Sequence, residues 1–483
     1  VTLSALTTWR DETLFALDAL ADRASALVNP SLRLGVTGLS RAGKTVFITA
    51  LVHNLLHGGR LPMFEAARGG RLARARLDHQ PDDAVPRFQY EDHVAQLVES
   101  RVWPESTRAI SELRVVIDYE SASTWNRLLT RGRLAIDIVD YPGEWLLDLP
   151  LLGKDYRQFS AESFALARDK ARVDEAADWL AAATAANPAA PADEPTARRL
   201  FEAFAGYLRV CKADRLALST LPPGRFLMPG DLEGSPALTF APLPDLGEAP
   251  FAAGSLAAMF ERRYEAYKTH VVKPFFREHI ARLDRQIVLV DAMQALNAGA
   301  DAVTDLERAL GEILTCFRAG SGGALSSLFR HRIDKVLIAA TKADHLHHES
   351  HDRLQRLTRR LVDEAASKAG VSGASVDVLA LAAVRATREG TAKAGRETLP
   401  VIIGTPLAGE TIGDKTFDGE TETAIFPGDL AEDPESMLKD GASVRFVRFR
   451  PPRLEHDASG RTLSLPHIRL DRALQFLIGD RLA

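Results

Sequence analysis

Cysteine is nearly absent: Cys211 and Cys316 are the only two in 483 residues. They form no metal-ligand spacing and no disulfide framework, so a reducing, cytoplasmic setting is expected. Long apolar runs are also missing. No stretch approaches the about 18 apolar residues of a spanning helix. The opening VTLSALTTWR lacks the apolar core and small-residue cleavage site of a secretory leader, so none is expected. Val1 stands where a natural chain would begin with Met, which suggests trimming. A surplus of positive charge is missing as well. Sixty Lys and Arg stand against 65 Asp and Glu, a net charge of −5. That argues against a chain whose main work is gripping DNA or RNA, and no nucleic-acid partner is expected. No internal repeat is visible.

What is present has the balance of a soluble globular protein, with 46% hydrophobic and 26% charged residues. The length exceeds one ordinary domain. Residues 1–29 read as an N-terminal helix, with Leu14, Leu17, Leu20 and Leu27 at helical spacing and a stop at Asn29-Pro30. Apolar runs at Leu32–Thr37, Ile110–Tyr119 and Arg133–Asp140 read as strands, and the last two would supply an antiparallel edge. Residues 58–87, rich in Arg, Gly and Asp, read as irregular. Strand signals return at Gln286–Asp291, Lys335–Ala340 and Val376–Ala382, with helical patterns between them. The expectation is an α/β three-layer P-loop domain of the Ras-like kind, built from residues 30–150 and 284–395. An Ala-rich helical insertion would occupy 151–283. A C-terminal extension of short strands, loops and a final helix would occupy 396–483.

The strongest motif is Gly38-Leu39-Ser40-Arg41-Ala42-Gly43-Lys44-Thr45, a full match to GxxxxGK[ST] between a strand and a helix. Gly38 and Gly43 let the backbone wrap, so that N–H groups through Ser40, Arg41 and Ala42 face a phosphate. The following helix adds its positive dipole end. Lys44 would reach the β- and γ-phosphates, and Thr45 would place its hydroxyl on Mg²⁺. Asp140-Tyr141-Pro142-Gly143 ends a hydrophobic strand as DxxG. Asp140 is placed to hold Mg²⁺, and Gly143 can offer its N–H to the γ-phosphate; a plain Pro-Gly turn is the rival reading. Thr341-Lys342-Ala343-Asp344 follows the strand KVLIAA and fits the [NT]KxD guanine-reading pattern. Asp344 can accept from N1–H and the 2-amino group of guanine, donors that adenine lacks. Lys342 would lie along the base, and Ala383 would offer its N–H to guanine O6.

Softer candidates complete the set. Thr107, with Ser106 as rival, precedes a strand and could touch Mg²⁺ and the γ-phosphate. Glu144 follows DxxG where many GTPases carry a water-orienting Gln; a solvated acid on a mobile loop is the alternative. The histidines of HLHHESH (residues 345–351) read as an exposed helix start, with a metal site as the lesser alternative. Arg60, Arg68, Arg71, Arg74 and Arg76 read as a solvated loop, with acidic lipid or a partner as the rival.

GLSRAGKT resembles the P-loops of guanylate-binding and atlastin-type GTPases, in which this Arg acts as an arginine finger once two subunits meet. The resemblance implies Arg41 as transition-state stabiliser and a nucleotide-dependent homodimer. With GLSRAGKTVFITALVHNLL, WPEST, DYPGEWLLDLPLL and TKADHLHH in place, nearly the whole chain resembles the YcjX-like family of bacterial GTPases. The resemblance implies GTP or GDP with Mg²⁺ and a Ras-like domain interrupted by a helical one. It also implies a stress-response association and a membrane-protein partner, hence a peripheral place at the inner face of the membrane. Two rivals remain: a nucleotide-gated interaction module that barely hydrolyses GTP, and an ATPase or kinase on the same P-loop.

Overall fold

The computed structural model describes residues 31–39, 41–105, 109–121, 132–213, 216–317, 333–370, 374–394, 396–433, 446–454 and 464–483. The expected helix within 1–29, Ser40 and Thr107 lie outside the described residues. Seven strands form the central sheet: β1 (Ser31–Gly38), β2 (Leu72–Asp78), β3 (Ser111–Tyr119), β4 (Arg133–Asp140), β5 (Arg285–Val290), β6 (Lys335–Ala340) and β7 (Ser375–Ala380). Their spatial order is β2-β3-β4-β1-β5-β6-β7. The run from β4 to β7 is parallel, whereas β3 pairs antiparallel with β4 and β2 antiparallel with β3. Register matters here. Val36 lies opposite Asp140 and Gly38 opposite Leu289, so the loops after β1, β4 and β5 leave the same sheet edge together. Ligands of open α/β sheets bind at such carboxyl ends.

The edge strand β2 corrects the irregular reading of 58–87. Its sequence LARARLD places Arg74 and Arg76 on one side of an exposed edge, where charge is tolerated and discourages edge-to-edge pairing. Arg76 pairs with Asp118 of β3 at 2.8 Å, and Arg133 of β4 reaches Asp78 at 3.3 Å. Of the arginines read as a loop, Arg74 and Arg76 belong to this strand, whereas Arg60, Arg68 and Arg71 lie outside it.

The main helices are α1 (Lys44–Leu56), α2 (Glu194–Cys211), α3 (Ala300–Cys316), α4 (His351–Gly370) and α5 (Leu470–Ile478). Strand alternation divides the interior between the two faces of the sheet. Ile287 and Leu289 join the cluster under α1 and α5, while Val288 and Val290 join the cluster under α3 and α4. That second cluster continues without a break through Trp145, Trp179, Phe204, Phe240 and Phe275, so the helices between β4 and β5 share a core with the sheet. Helix α2 starts cleanly because Asp193 accepts from the Thr196 N–H at 2.8 Å and Pro195 occupies the first turn. The final helix packs on its own sheet: Leu470, Leu474 and Leu477 are buried. There Arg285, fully enclosed, is held by Asp334 at 3.0 Å and Asp480 at 2.6 Å. Beyond β7, strands β8 (Arg388–Ala394) and β9 (Glu397–Gly404) join Thr423–Ile425 in a three-stranded antiparallel sheet. Among the described residues no helix is long and apolar enough to cross a membrane.

Candidate functional site

The loop after β1 turns through two left-handed residues. Gly43 has φ 79° and Arg41 has φ 59°. Glycine carries that conformation without strain, whereas an arginine pays a steric cost there, the kind of local strain that gathers at functional sites. Arg41 is exposed, Ala42 buried, and α1 starts directly after Gly43. The Nζ of Lys44 sits 2.9 Å from Asp140 Oδ1, with Asp140 itself almost wholly enclosed. Thr45 Oγ1 donates to the Glu105 carbonyl at 3.3 Å. The turn after β4 presses against the same loop: a Cβ on Gly143 would lie 2.2 Å from the Gly38 carbonyl oxygen. Only glycine fits, so two motifs separated by a hundred residues form one cradle.

The DxxG turn runs straight into a 3-10 helix, Gly143–Gly153, and the inserted helices grip it. Glu144 is buried, and Lys212, at the end of α2, reaches its Oε1 at 2.5 Å. This corrects the solvated-acid reading. The Arg225 guanidinium stacks over the Trp145 ring at 3.2 Å from its centroid. Trp145 Nε1 donates to the Met228 carbonyl at 3.1 Å. Asp148 accepts from the Gly224 N–H at 2.7 Å and the Tyr267 hydroxyl at 2.6 Å. Burial pushes the Asp148 carboxyl up to about 6, against the pull of those donors.

At the other end, Thr341 N–H donates to the Val290 carbonyl at 2.9 Å, which fixes the Thr341–Asp344 turn to the end of β5. Lys342 is left-handed at φ 61° and its ammonium pairs with Asp291. Asp344 is buried, and its Oδ2 accepts from the Ala386 N–H at 2.8 Å. Its position is therefore set before any ligand arrives. The histidines beyond it are not an exposed helix start. His347 and His351 are buried, burial lowers the His345 and His351 imidazoles, and of the four only His348 is exposed. His347, His348 and Glu389 bring ligand atoms within 4.8 Å of one another, but Arg385 already holds Glu389 at 3.2 Å.

A cavity of about 570 Å³ joins both ends, within the range of nucleotide-sized ligands. Gly38, Arg41, Ala42, Gly43, Lys44, Thr45, Glu144, Thr341, Lys342, Asp344 and Ala383 line it. Asp140 and Gly143 stand directly behind. The hydroxyl of Thr45 and the carboxylate of Asp140 are hard oxygen donors that suit Mg²⁺. Sequence reasoning missed Trp103, Lys212, Met228, Leu407, Arg448 and Phe449, which also line the cavity. Apart from Trp103, which opens the WPEST segment, no local pattern marks them, since each arrives from a distant segment.

Known proteins resemble this chain over nearly its whole length. The family model described as YcjX-like family, DUF463, matches residues 32–482. A protein of Escherichia coli (strain K12) named Ras-like GTPase YcjX is 40% identical over 478 residues, covering 96% of this chain and 98% of its own. A protein of the same name from Shewanella oneidensis is 35% identical over 476 residues, covering 93% of this chain and 94% of its own. With the family model spanning its sheet, its insertion and its final helix, the chain belongs to the YcjX-like family.

Proposed function

We propose that this protein binds GTP with Mg²⁺ and hydrolyses it to GDP and phosphate, as a switch whose inserted helices respond to the nucleotide. The observation that carries the reading is one cavity with Lys44 and Thr45 at one end and Asp344 at the other. A phosphate cradle alone would serve any nucleoside triphosphate. A buried carboxylate at the far end favours a base that offers two donors, which guanine does and adenine does not. The names of the relatives point the same way. Thr45 and Asp140 would hold Mg²⁺, which would neutralise charge on the phosphates. Asp344→Asn tests the base assignment, since it replaces an acceptor by a donor. GTP affinity should fall by about a hundredfold, with a gain for the 2-oxo base of XTP. If the variant keeps its preference, or if ATP displaces labelled GTP from the wild type as well as GTP does, the reading is wrong.

The switch rests on the grip that the inserted helices hold on Gly143–Gly153. A segment that senses the γ-phosphate and is bonded to those helices passes its movement to them. Limited proteolysis should therefore cleave the 151–283 region differently with GDP and with a non-hydrolysable GTP analogue. Identical digestion patterns would count against the coupling.

A further inference from the structure

We propose that Lys212, supplied by the inserted helices, allows this site to accept a γ-phosphate by neutralising Glu144. The proposal rests on the reading of Asp140–Gly143 as the γ-phosphate loop and deepens it. The starting point is a charge conflict. Glu144 follows Gly143 directly and lines the same cavity as Lys44 and Thr45. It is 7% exposed, so water screens its carboxylate poorly. A γ-phosphate brings more negative charge to that end. Two anions without a cation between them would disfavour GTP relative to GDP.

Lys212 resolves the conflict. Its Nζ lies 2.5 Å from Glu144 Oε1, and the residue also lines the cavity. It caps the C-terminus of α2, where the helix dipole favours a cation. The acid cannot drift from it, because the same insertion pins the acid's backbone. A Cβ on Gly224 would come 2.0 Å from the Glu144 carbonyl oxygen. Lys212 is thus a positioning residue: it acts through Glu144 and sets the preference for triphosphate over diphosphate. An acid can then stand where a neutral amide is common, provided the insertion is docked.

The test compares binding of fluorescent mant-GDP and mant-GppNHp, each with magnesium, to the full chain and four variants. Lys212→Met should weaken the triphosphate analogue about tenfold more than the diphosphate. Lys212→Arg should keep the wild-type ratio. Adding Glu144→Gln to Lys212→Met should restore the ratio, because no acid is left to neutralise. A merely structural pair would weaken both nucleotides alike, with no rescue in the double variant, and that result overturns the proposal. Should Lys212→Met fail to fold, Glu144→Gln alone decides. It leaves the Lys212 charge facing the γ-phosphate and must raise the triphosphate preference; an unchanged ratio overturns the idea. A wild-type chain that binds neither nucleotide overturns the γ-phosphate reading itself, and the proposal with it. If the wild type binds both and the Lys212→Met ratio is unchanged, only the proposal falls.

Discussion

Replacing Lys44 by alanine is expected to cut GTP affinity by about a hundredfold or more while leaving the fold intact. The ammonium stands at the start of α1, 2.9 Å from Asp140 Oδ1, and both side chains are largely withdrawn from water. Charge-assisted hydrogen bonds to the phosphates are lost, at about 1.5–3 kcal/mol each, and two such bonds account for the expected loss. The backbone cradle survives, since Gly43 and the burial of α1 do not depend on the Lys44 side chain. Titration with mant-GTP reads the affinity, and circular-dichroism melting verifies the fold. A folded variant that binds GTP as the wild type does would remove the P-loop from the mechanism.

The contrast between Lys44 and Lys212 shows what a single sequence reveals. Lys44 was legible because its setting is local: a strand, a glycine that must be left-handed, and a helix within one short run. Asp140 and Asp344 were legible for the same reason, Asp140 ending an apolar strand and Asp344 lying in the turn just after one, at the edge where parallel β/α units place ligands. Lys212 lies 68 residues from Glu144, at the end of a helix whose pattern shows only which face is buried. Nothing in its neighbourhood says what its ammonium will meet. The errors have related causes. Arg74 and Arg76 looked like loop residues because composition does not distinguish a loop from the outer face of an edge strand. His347 and His351 looked solvated because polar residues usually are, yet here both are buried.

The C-terminal extension was the least legible region, and Phe449 gives it a measurable role. Its ring is 1% exposed and stands edge-on to His345, the neighbour of Asp344, with centroids 5.4 Å apart. A Cβ on Gly404 of β9 would approach the ring to 2.8 Å, so the ring fills the space between the small sheet and the turn that carries Asp344 and His345. The Phe449 carbonyl accepts from Trp103 Nε1 at 2.6 Å, a backbone contact that substitution of the side chain leaves in place. Both aromatic residues line the cavity that also contains Lys44 and Asp344. Cutting Phe449 to alanine removes the wedge and costs about 3–5 kcal/mol of local packing if the site cannot collapse. That loss falls on the contact between extension and loop, away from the core of the main sheet. Asp344 is positioned partly by Ala386, which shares a buried cluster with Phe449, so slack around the ring reaches the carboxylate through Ala386. Release of mant-GDP, followed by stopped flow with excess unlabelled GDP, should therefore be about ten- to a hundredfold faster in Phe449→Ala. Phe449→Leu retains apolar bulk and should release nearly as slowly as the wild type. If the alanine variant melts lower but releases nucleotide at the wild-type rate, the extension supports the fold and takes no part in retaining the base.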